Sequence, residues 1–571
     1  MMKSFRPPHL KNSGFLARTV THFRSLTPGD KTIALALASF LCLSLFAGFY
    51  ELERQFLVQV PSKGGGLIEG SLGAPRFINP LLALSDADRD LTVLTYAGLM
   101  GYGPDGALVP VLAESFTITP DGKTYTFTVR DGAKFSDGTP VTASDVVFTV
   151  EKAQDPALKS PEFANWANIR AEMVDARTVR FTLPKAYTPF LEDATLGILP
   201  SHLWRDISDE QFPFSPLQQE PVGAGPFRVN HVERDKNGAV KQYELRAFDG
   251  YALGRPYLSS LTFVFFKTED ELENAVERGR VESAYGVAND SALRAPFSRI
   301  FGVFLNATAD PAFSRLAVRK ALSVAVDREK LVREVLGGYG TPVWGPVPPG
   351  SGVNVARPEV PEDSIGAASA ILAADGWSYD EELRTWTNAE EKLELSFTLK
   401  TSNVPELRAI AEAVRSDWEK LGVSVSVEYY DPSDLAASVI RPRTYEALLF
   451  GMVVGRDRDL FAFWDSSQRA DPGLNIALYA SRAVDTLLES LRVAQDPAVV
   501  EQDLAEVDAL ISADYPAVFT HAPDFVYAVP EDLRGVTLLR VAAPSDRFAT
   551  AASWYRRTEW VWPAFASGST R

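Results

Sequence analysis

The uncharged stretch of 18 residues from Ile33 to Tyr50 constrains the fold of this chain more than any other feature. A helix that crosses a bilayer needs roughly 20 predominantly apolar residues. Basic residues precede the stretch and Glu51 follows it, which favours a cytoplasmic N-terminus. A cleaved signal peptide is the alternative, but it needs a small residue where the bulky Phe46 stands. We therefore predict a transmembrane anchor or signal at 32–50 and favour the uncleaved anchor. In either case the following chain lies on the extracytoplasmic side.

The charge of the chain is unevenly distributed. Residues 1–31 hold six basic residues and one acidic residue, so this leader carries +5 and the remaining chain carries −22 of the total of −17. An acidic body repels phosphates, which argues against a nucleic-acid partner. The single cysteine, Cys42, lies inside the apolar stretch. We therefore expect neither disulfides nor a thiolate metal site, and we predict no cofactor.

The remainder of the chain has the pattern of an α/β protein. At 571 residues it exceeds what one hydrophobic core usually supports, so two or three domains are expected. A Pro- and Gly-rich linker is predicted at 51–66. The segment 115–129 alternates around a Pro-Asp-Gly turn, which predicts a β-hairpin. The segment 393–430 reads as strand, helix and strand, which predicts part of a parallel sheet covered by helices.

The segment "KFSDGTPVTASDVVF" (134–148) contains two aspartates that could belong to a catalytic pair, a cation site or a helix start. Thr142 and Asp145 have the spacing of a capping box, and Asp137 precedes a glycine as in a turn. We therefore interpret both as structural. A second acidic run, at 86–90, lacks the glycine and glutamate of a calcium loop, and we expect a solvated helix start there.

No segment carries a strong catalytic signature. Residues 101–106 spell G-x-G-x-x-G, but they follow a predicted helix, whereas a dinucleotide site follows a strand. The five histidines are scattered, and phosphate-loop, nucleophile-elbow and zinc-protease motifs are absent from the sequence. We therefore predict that the chain is not an enzyme. A hydrolase with two converging carboxylates is the remaining enzymatic alternative, because the chain has 74 acidic residues.

The order of several motifs resembles family 5 of the bacterial extracellular solute-binding proteins, the dipeptide- and oligopeptide-binding receptors of ABC importers. The matching segments begin with 134–148, the most specific of them. The others follow in family order: Gly223–Phe227, Arg319–Leu322, Asp327-Arg328, Gly376-Trp377, 417–427 and 479–497.

The resemblance implies a bilobed clamp with mixed sheets, similar to the type II or cluster C binding proteins. Lobe I would comprise 67–303 and 519–571, with an extra subdomain at about 90–215. Lobe II would comprise 304–518. Two chain crossings would form a hinge about which the lobes close over a ligand.

The resemblance also implies a binding site in lobe II. In peptide-binding relatives an aspartate in a stretch like 448–467 pairs with the α-ammonium group of the ligand. Asp457 matches best, with Asp459 next, and Trp464 is a further candidate for lining the pocket. The alternative is that both aspartates are solvated and pair with neighbouring arginines, and that Trp464 belongs to the core. Met452 replaces a tryptophan that is common in relatives.

The resulting hypothesis is an extracytoplasmic receptor that binds peptides for an ABC importer. Its expected partners are a peptide and the permease subunits in the membrane, and we expect a monomer. Two alternatives remain open: a binding protein for another solute, such as a nickel chelate, haem or a sugar, or a sensor or cell-wall-binding module without a transporter.

Overall fold

The computed structural model describes residues 27–563, apart from the side chains of 49–56. Most of the predicted basic leader, 1–31, therefore lies outside the described residues. The chain divides into two compact units. One contains the N-terminal helix and a pair of strands, and the other is Lys63–Arg556.

The first unit begins with a helix that is longer than the predicted segment, Pro28–Phe56. Its window Pro28–Gly48 is long and apolar enough to cross a membrane. The strand Val58–Ser62 follows and pairs antiparallel with the strand Arg557–Val561. The helix extends to Phe56 and a strand occupies Val58–Ser62, so most of the predicted linker, 51–66, has regular structure. Residues 557–561, which were predicted to lie in lobe I, belong to this unit. This backbone pairing joins segments about 500 residues apart, which the sequence does not reveal.

The second unit is built on a mixed sheet, which among the described residues has twelve strands. Ten of them follow one another in space in this order: Ser424–Tyr430, Ser396–Ser402, Ala447–Val453, Arg299–Leu305, Ala517–Ala528, Ser283–Tyr285, Gly66–Leu72, Ser260–Phe266, Val240–Ala247 and Phe227–Arg234. The other two, Leu293–Pro296 and Gly340–Pro342, also pair with Ala517–Ala528.

The strand Ala517–Ala528 connects two groups of strands. Its residues 517–521 pair with Arg299–Leu305, and its residues 524–527 pair with Leu293–Pro296. The chain therefore passes between the groups twice, at 296–299 and at 521–524. The division into lobes at 303 and 518 lies near these crossings and stays a prediction.

Smaller sheets complete the second unit. A four-stranded antiparallel sheet contains the predicted hairpin, and its strands are Ala113–Ile118, Thr124–Val129, Thr178–Thr182 and Arg170–Met173. The remaining strands are Met100–Tyr102, Leu108–Pro110, Ser378–Asp380, Thr385–Asn388 and Leu393–Glu394. Buried aromatic side chains, among them Phe127, Phe135, Trp166 and Phe181, give the segment 81–224 a core of its own.

Helices cover the sheets. The longer ones in the second unit are Asp86–Thr95, Ala143–Ala153, Glu269–Glu277, Leu316–Ala325, Arg328–Glu334, Ser364–Ala374, Pro405–Leu421, Arg482–Leu491 and Pro497–Asp514. Shorter helices are Phe163–Trp166, Phe190–Asp193, Ser201–Trp204, Pro432–Asp434 and Phe461–Trp464. The predicted strand–helix–strand segment is confirmed, because Ser396–Ser402 and Ser424–Tyr430 pair in parallel and Pro405–Leu421 connects them.

The helix start at Thr142 is confirmed with a change in its hydrogen bonds. The Thr142 amide and hydroxyl both donate to Asp145, at 2.8 Å each. Asp145 also accepts the amide of Ser201 at 3.0 Å. Asp137 accepts the amide of Thr139 at 2.9 Å, as the turn predicted, and lies 2.8 Å from His202 Nε2. Both aspartates therefore tie the start of this helix to the segment that contains Ser201 and His202.

The acidic helix start at 86–90 is confirmed as a helix start, but the expectation that it is solvated is wrong. Ser85 and Asp88 form a capping box, and Asp88 also accepts the amides of Arg76 and Phe77. Asp90 is buried against Arg547, which donates to it at 2.6 and 2.9 Å. A carboxylate can be buried when hydrogen bonds and an opposite charge compensate it. The partner here is 457 residues away in the sequence.

Candidate functional site

A cavity of about 560 Å³ lies between two segments that are distant in the sequence. One segment is 164–193, which falls in predicted lobe I, and the other is 461–493, which falls in predicted lobe II. Its charged and aromatic lining comprises Lys185, Tyr187, Asp193, Phe461, Glu489 and Arg492. The cavity is therefore lined by residues from both predicted lobes.

Short structural elements position the lining side chains. Asp193 is the last residue of the helix Phe190–Asp193, and Arg492 directly follows the helix Arg482–Leu491. The amide of Thr188 donates to the carbonyl of Arg492 at 2.8 Å, which joins the two walls through the backbone.

The Arg492 guanidinium lies over two aromatic rings that also line the cavity. It is 4.8 Å from the ring centre of Tyr187 and 4.4 Å from that of Phe461. Such contacts are attractive because a cation faces the negative face of each ring. The guanidinium Nε is also 3.1 Å from Asp459 Oδ2. Arg492 is therefore held by contacts from both walls.

Buried carboxylates are concentrated beside the cavity. Burial, together with the nearby charges of Asp457, Glu162 and Glu192, raises the pKa of Asp193 to about 8, although Arg492 lowers it. Burial also raises the pKa of Asp457, with a contribution from Asp459. Like charges held close together in a poorly solvated place oppose one another's ionisation. A cation that enters the cavity would relieve this repulsion, so the arrangement favours a positively charged ligand group.

The two aspartates predicted from the sequence have different surroundings. Asp459 is engaged by the fold, because it accepts the amide of Phe461 at 2.9 Å and pairs with Arg492. Asp457 accepts the amide of Asp459 at 3.2 Å. Asp457 is not among the residues that line the cavity, but its charge raises the pKa of two residues that do, Asp193 and Tyr187.

The arginines that flank Asp457 have other partners. Arg456 lies 3.3 Å from Asp546 and 3.9 Å from the ring centre of Tyr102, while Arg458 donates to the carbonyl of Ser351 at 3.2 Å. The alternative in which neighbouring arginines neutralise solvated aspartates therefore does not describe Asp457. Its role as a ligand contact stays a prediction.

Trp464 is fully buried in the hydrophobic core. Its ring centre lies 5.8 Å from that of Phe519, 6.0 Å from that of Tyr479 and 6.2 Å from that of Phe304. These contacts favour the core role that was the alternative for this residue. Its assignment as a ligand contact stays a prediction.

Sequence reasoning missed Asp193, Arg492 and Tyr187, which line the cavity. It also missed a second contact, in which Tyr102 donates a hydrogen bond to Glu192 and stacks under Arg456. Asp193 stands in "LEDATLG", which has no motif around it. In the part of the chain that the structure describes, no group of three or more His, Cys, Asp or Glu side chains could hold a metal ion.

The comparisons with known proteins agree with this architecture. The sequence profile described as bacterial extracellular solute-binding proteins, family 5 Middle, matches residues 107–471. The oligopeptide-binding protein AppA of Bacillus subtilis is 27% identical over 502 residues, which cover 83% of this chain and 89% of AppA. Protein XP55 of Streptomyces lividans is 29% identical over 488 residues, which cover 82% of this chain and 86% of that protein.

Solved structures share the fold. The structure of Bacillus subtilis AppA with a nonapeptide has a TM-score of 0.67 at 24% identity and covers 87% of this chain and 99% of its own. The unliganded open form of the murein tripeptide-binding protein MppA has a TM-score of 0.70 at 20% identity, with coverage of 88% and 99%. The predicted bilobed α/β fold is thus confirmed. The chain belongs to family 5 of the bacterial extracellular solute-binding proteins, and it is a binding protein and not an enzyme.

Proposed function

We propose that this protein is the membrane-tethered receptor of an ABC importer and that it holds a peptide between its two lobes. The observation that carries this proposal is the cavity between 164–193 and 461–493, with the buried carboxylates of Asp193 and Asp457 beside it. AppA, which is named as an oligopeptide-binding protein, supports a peptide as the ligand.

The site would bind the ammonium end of a peptide through its carboxylates. A charge-assisted hydrogen bond between an ammonium and a carboxylate is stronger where water is excluded. Asp457 is the proposed primary contact, because Asp459 is already paired with Arg492. Asp193, whose pKa is raised to about 8 in the empty site, would lose its proton beside the bound ammonium and then add a second negative charge. The peptide backbone would then bind by hydrogen bonds that do not depend on its side chains.

Lobe closure would occur about the two chain crossings at 296–299 and 521–524. The strand Ala517–Ala528 runs through both groups of strands, so a change in its twist would rotate one group against the other. Hinges of this kind need few residues to change conformation. Backbone contacts such as Thr188 to Arg492 would form on closure and break on opening.

The first test identifies the ligand. The full-length protein is purified in mild detergent and denatured, and the released small molecules are analysed by mass spectrometry. We expect peptides with free N-termini. A reproducible sugar, opine or metal chelate in their place would refute the peptide as the ligand.

The second test examines the ammonium contact. Peptides recovered in the first test are compared with their N-acetylated forms by calorimetry on the wild type and on Asp457→Asn. We expect the variant to bind free-amine peptides tenfold or more weakly than the wild type, because a charge-assisted hydrogen bond is lost. Its affinity for acetylated peptides should be nearly unchanged. Asp131→Asn, whose side chain is 90% exposed, serves as the control. Equal losses for both peptide forms would remove Asp457 from the site.

The remaining parts of the proposal concern the membrane. The helix Pro28–Phe56 would stay uncleaved and anchor the receptor beside its permease subunits. Intact mass of the protein extracted from membranes tests the anchor, since cleavage removes several kilodaltons. Cross-linking in native membranes tests the permease, and light scattering tests the expected monomer.

A further inference from the structure

The C-terminal strand of the chain lies next to the end of the apolar helix. The helix ends at Phe56, and the strand Val58–Ser62 begins two residues later. This strand pairs with Arg557–Val561 in a register that sets Val58 against Val561 and Gln59 against Trp560. We call these two paired strands the terminal ribbon. Its register brings the last described part of the chain to the point where the helix ends.

The C-terminal strand of the terminal ribbon and the residue after it present two exposed tryptophans. Trp560 lies within the strand and is 52% exposed, and Trp562 follows the last strand residue, Val561, and is 42% exposed. Successive side chains of a strand point to opposite faces, so Trp560 and Glu559 lie on opposite faces of the ribbon. Val60 is buried and stands opposite Glu559. Trp560 therefore lies on the face opposite Val60, and Trp562 extends beyond the paired residues.

The length of the helix sets the height of the terminal ribbon above a bilayer. About 20 residues span a hydrocarbon core of about 30 Å, which extends from near Lys31 to Tyr50. The six residues from Glu51 to Phe56 then rise about 9 Å further. The headgroup layer on each side is about 5–7 Å thick. Indole side chains on the ribbon would cover the remaining distance.

We propose that Trp560 and Trp562 insert into the headgroup region of the membrane, so that the C-terminal end of the chain makes a second membrane contact beside the helix. The partner is the lipid–water interface, where tryptophan is enriched because its ring is apolar and its N–H is polar. The inference rests on the proposed function in one respect, which is that the helix is retained as an anchor.

Lipid charge contributes little to this contact. The C-terminal strand of the terminal ribbon contributes one basic residue, Arg557, and one acidic residue, Glu559. A polybasic segment would bind anionic lipids through its charge and release them in salt. The two tryptophans instead bind through apolar surface and a polar N–H, so the contact forms on zwitterionic lipid and persists in salt. This contact would limit how far the receptor can tilt about its helix.

Fluorescence quenching tests the inference in the full-length protein. The chain is reconstituted into phosphatidylcholine vesicles that contain lipid brominated on the acyl chain near the headgroup. The chain has ten tryptophans, so the quenched emission from these two is expected to be at most about a fifth of the total. The double variant Trp560→Phe with Trp562→Phe should lose this quenched component. Trp344→Phe, which changes another tryptophan, should keep it.

The outcomes separate the inference from the anchor. Equal quenching in the wild type and in the double variant would overturn the inference and leave the anchor intact. If the intact mass shows that the helix is cleaved, the anchor proposal is wrong. The membrane contact then stands only if brominated lipid still quenches Trp560 and Trp562 in the cleaved protein. A quenched component that disappears in 0.5 M salt or requires anionic lipid would also overturn it, because charge would then carry the contact.

Discussion

Replacing Arg547 should destabilise the second unit far more than replacing a surface arginine with the same number of acidic partners. Arg547 is 2% exposed and pairs with Glu69 at 2.9 Å and with Asp90 at 2.6 Å. Both carboxylates are almost completely buried. Tyr527 also donates to Glu69, at 2.8 Å. The network joins a central strand, the helix at 86–95 and the segment near the C-terminus.

The magnitude follows from the burial of the charges. Arg547→Met keeps an unbranched side chain but leaves Glu69 and Asp90 without their cation. Removing one partner of a buried ion pair costs about 3–5 kcal/mol, because the remaining charge is neither solvated nor compensated. Burial already raises the pKa of Asp90 to about 7 with Arg547 present. The second unit, Lys63–Arg556, has an unfolding entropy of about 1 kcal/mol/K at about 2.1 cal/mol/K per residue, so this cost corresponds to a fall in Tm of about 3–5 °C.

The assay is thermal unfolding of the full-length protein in mild detergent, followed by near-ultraviolet circular dichroism at pH 7.5. Arg415→Met is the matched control, since Arg415 pairs with Glu412 at 2.6 Å and Glu419 at 2.7 Å and is 37% exposed. Exposed pairs contribute about 1 kcal/mol or less. We expect a small shift for the control.

A third variant separates charge from packing. In Arg547→Met with Glu69→Gln and Asp90→Asn, no buried charge is left without a partner. Replacement of a whole buried ionic group is often close to neutral, so this variant should recover much of the lost Tm. If Arg547→Met shifts Tm no more than Arg415→Met, or if the triple variant recovers nothing, the uncompensated-charge argument is wrong.

Three further predictions concern single sites. Burial lowers the pKa of His521 from 6.5 to about 4, so between these pH values the unfolded state binds more protons than the folded state. The free energy of unfolding should therefore fall by about 3 kcal/mol as the pH drops from 6.5 to 4. Urea titrations of His521→Gln should lack this loss. Burial raises the pKa of Asp508 from 3.8 to about 6, so the stability of the folded state falls as the pH rises from 3.8 to 6. Asp508→Asn should therefore raise Tm relative to the wild type at pH 8 but not at pH 4. An equal change at both pH values would contradict this. A Cβ on Gly223 would lie 2.1 Å from the Thr95 carbonyl oxygen, so Gly223→Ala should cost about 1–3 kcal/mol in denaturant unfolding, and an unchanged midpoint would refute the close approach.

Local features of the fold could be predicted because they depend on residues close together in the sequence. The hairpin forms around Gly122, whose φ of 66° suits the turn. The helix at Ala143–Ala153 starts where Thr142 and Asp145 stand, and the helix Ser364–Ala374 ends before Gly376 at φ 84°. In each case the residues that form the turn or the helix end lie only a few positions apart in the sequence. The motif order identified the family for the same reason, since each motif is a short local pattern.

The sequence by itself determined the apolar N-terminal helix, the α/β pattern of its elements and the family, because periodicity, capping and turn residues act within a few positions. Tertiary structure alone decided that Asp90 is buried against Arg547, that Asp193 lies near Asp457, and that the two chain ends pair beside the helix. Each of these contacts joins residues more than 200 positions apart. Packing and burial of the whole chain bring the two residues or strands of each contact together. The sequence around one of them does not indicate where the other lies.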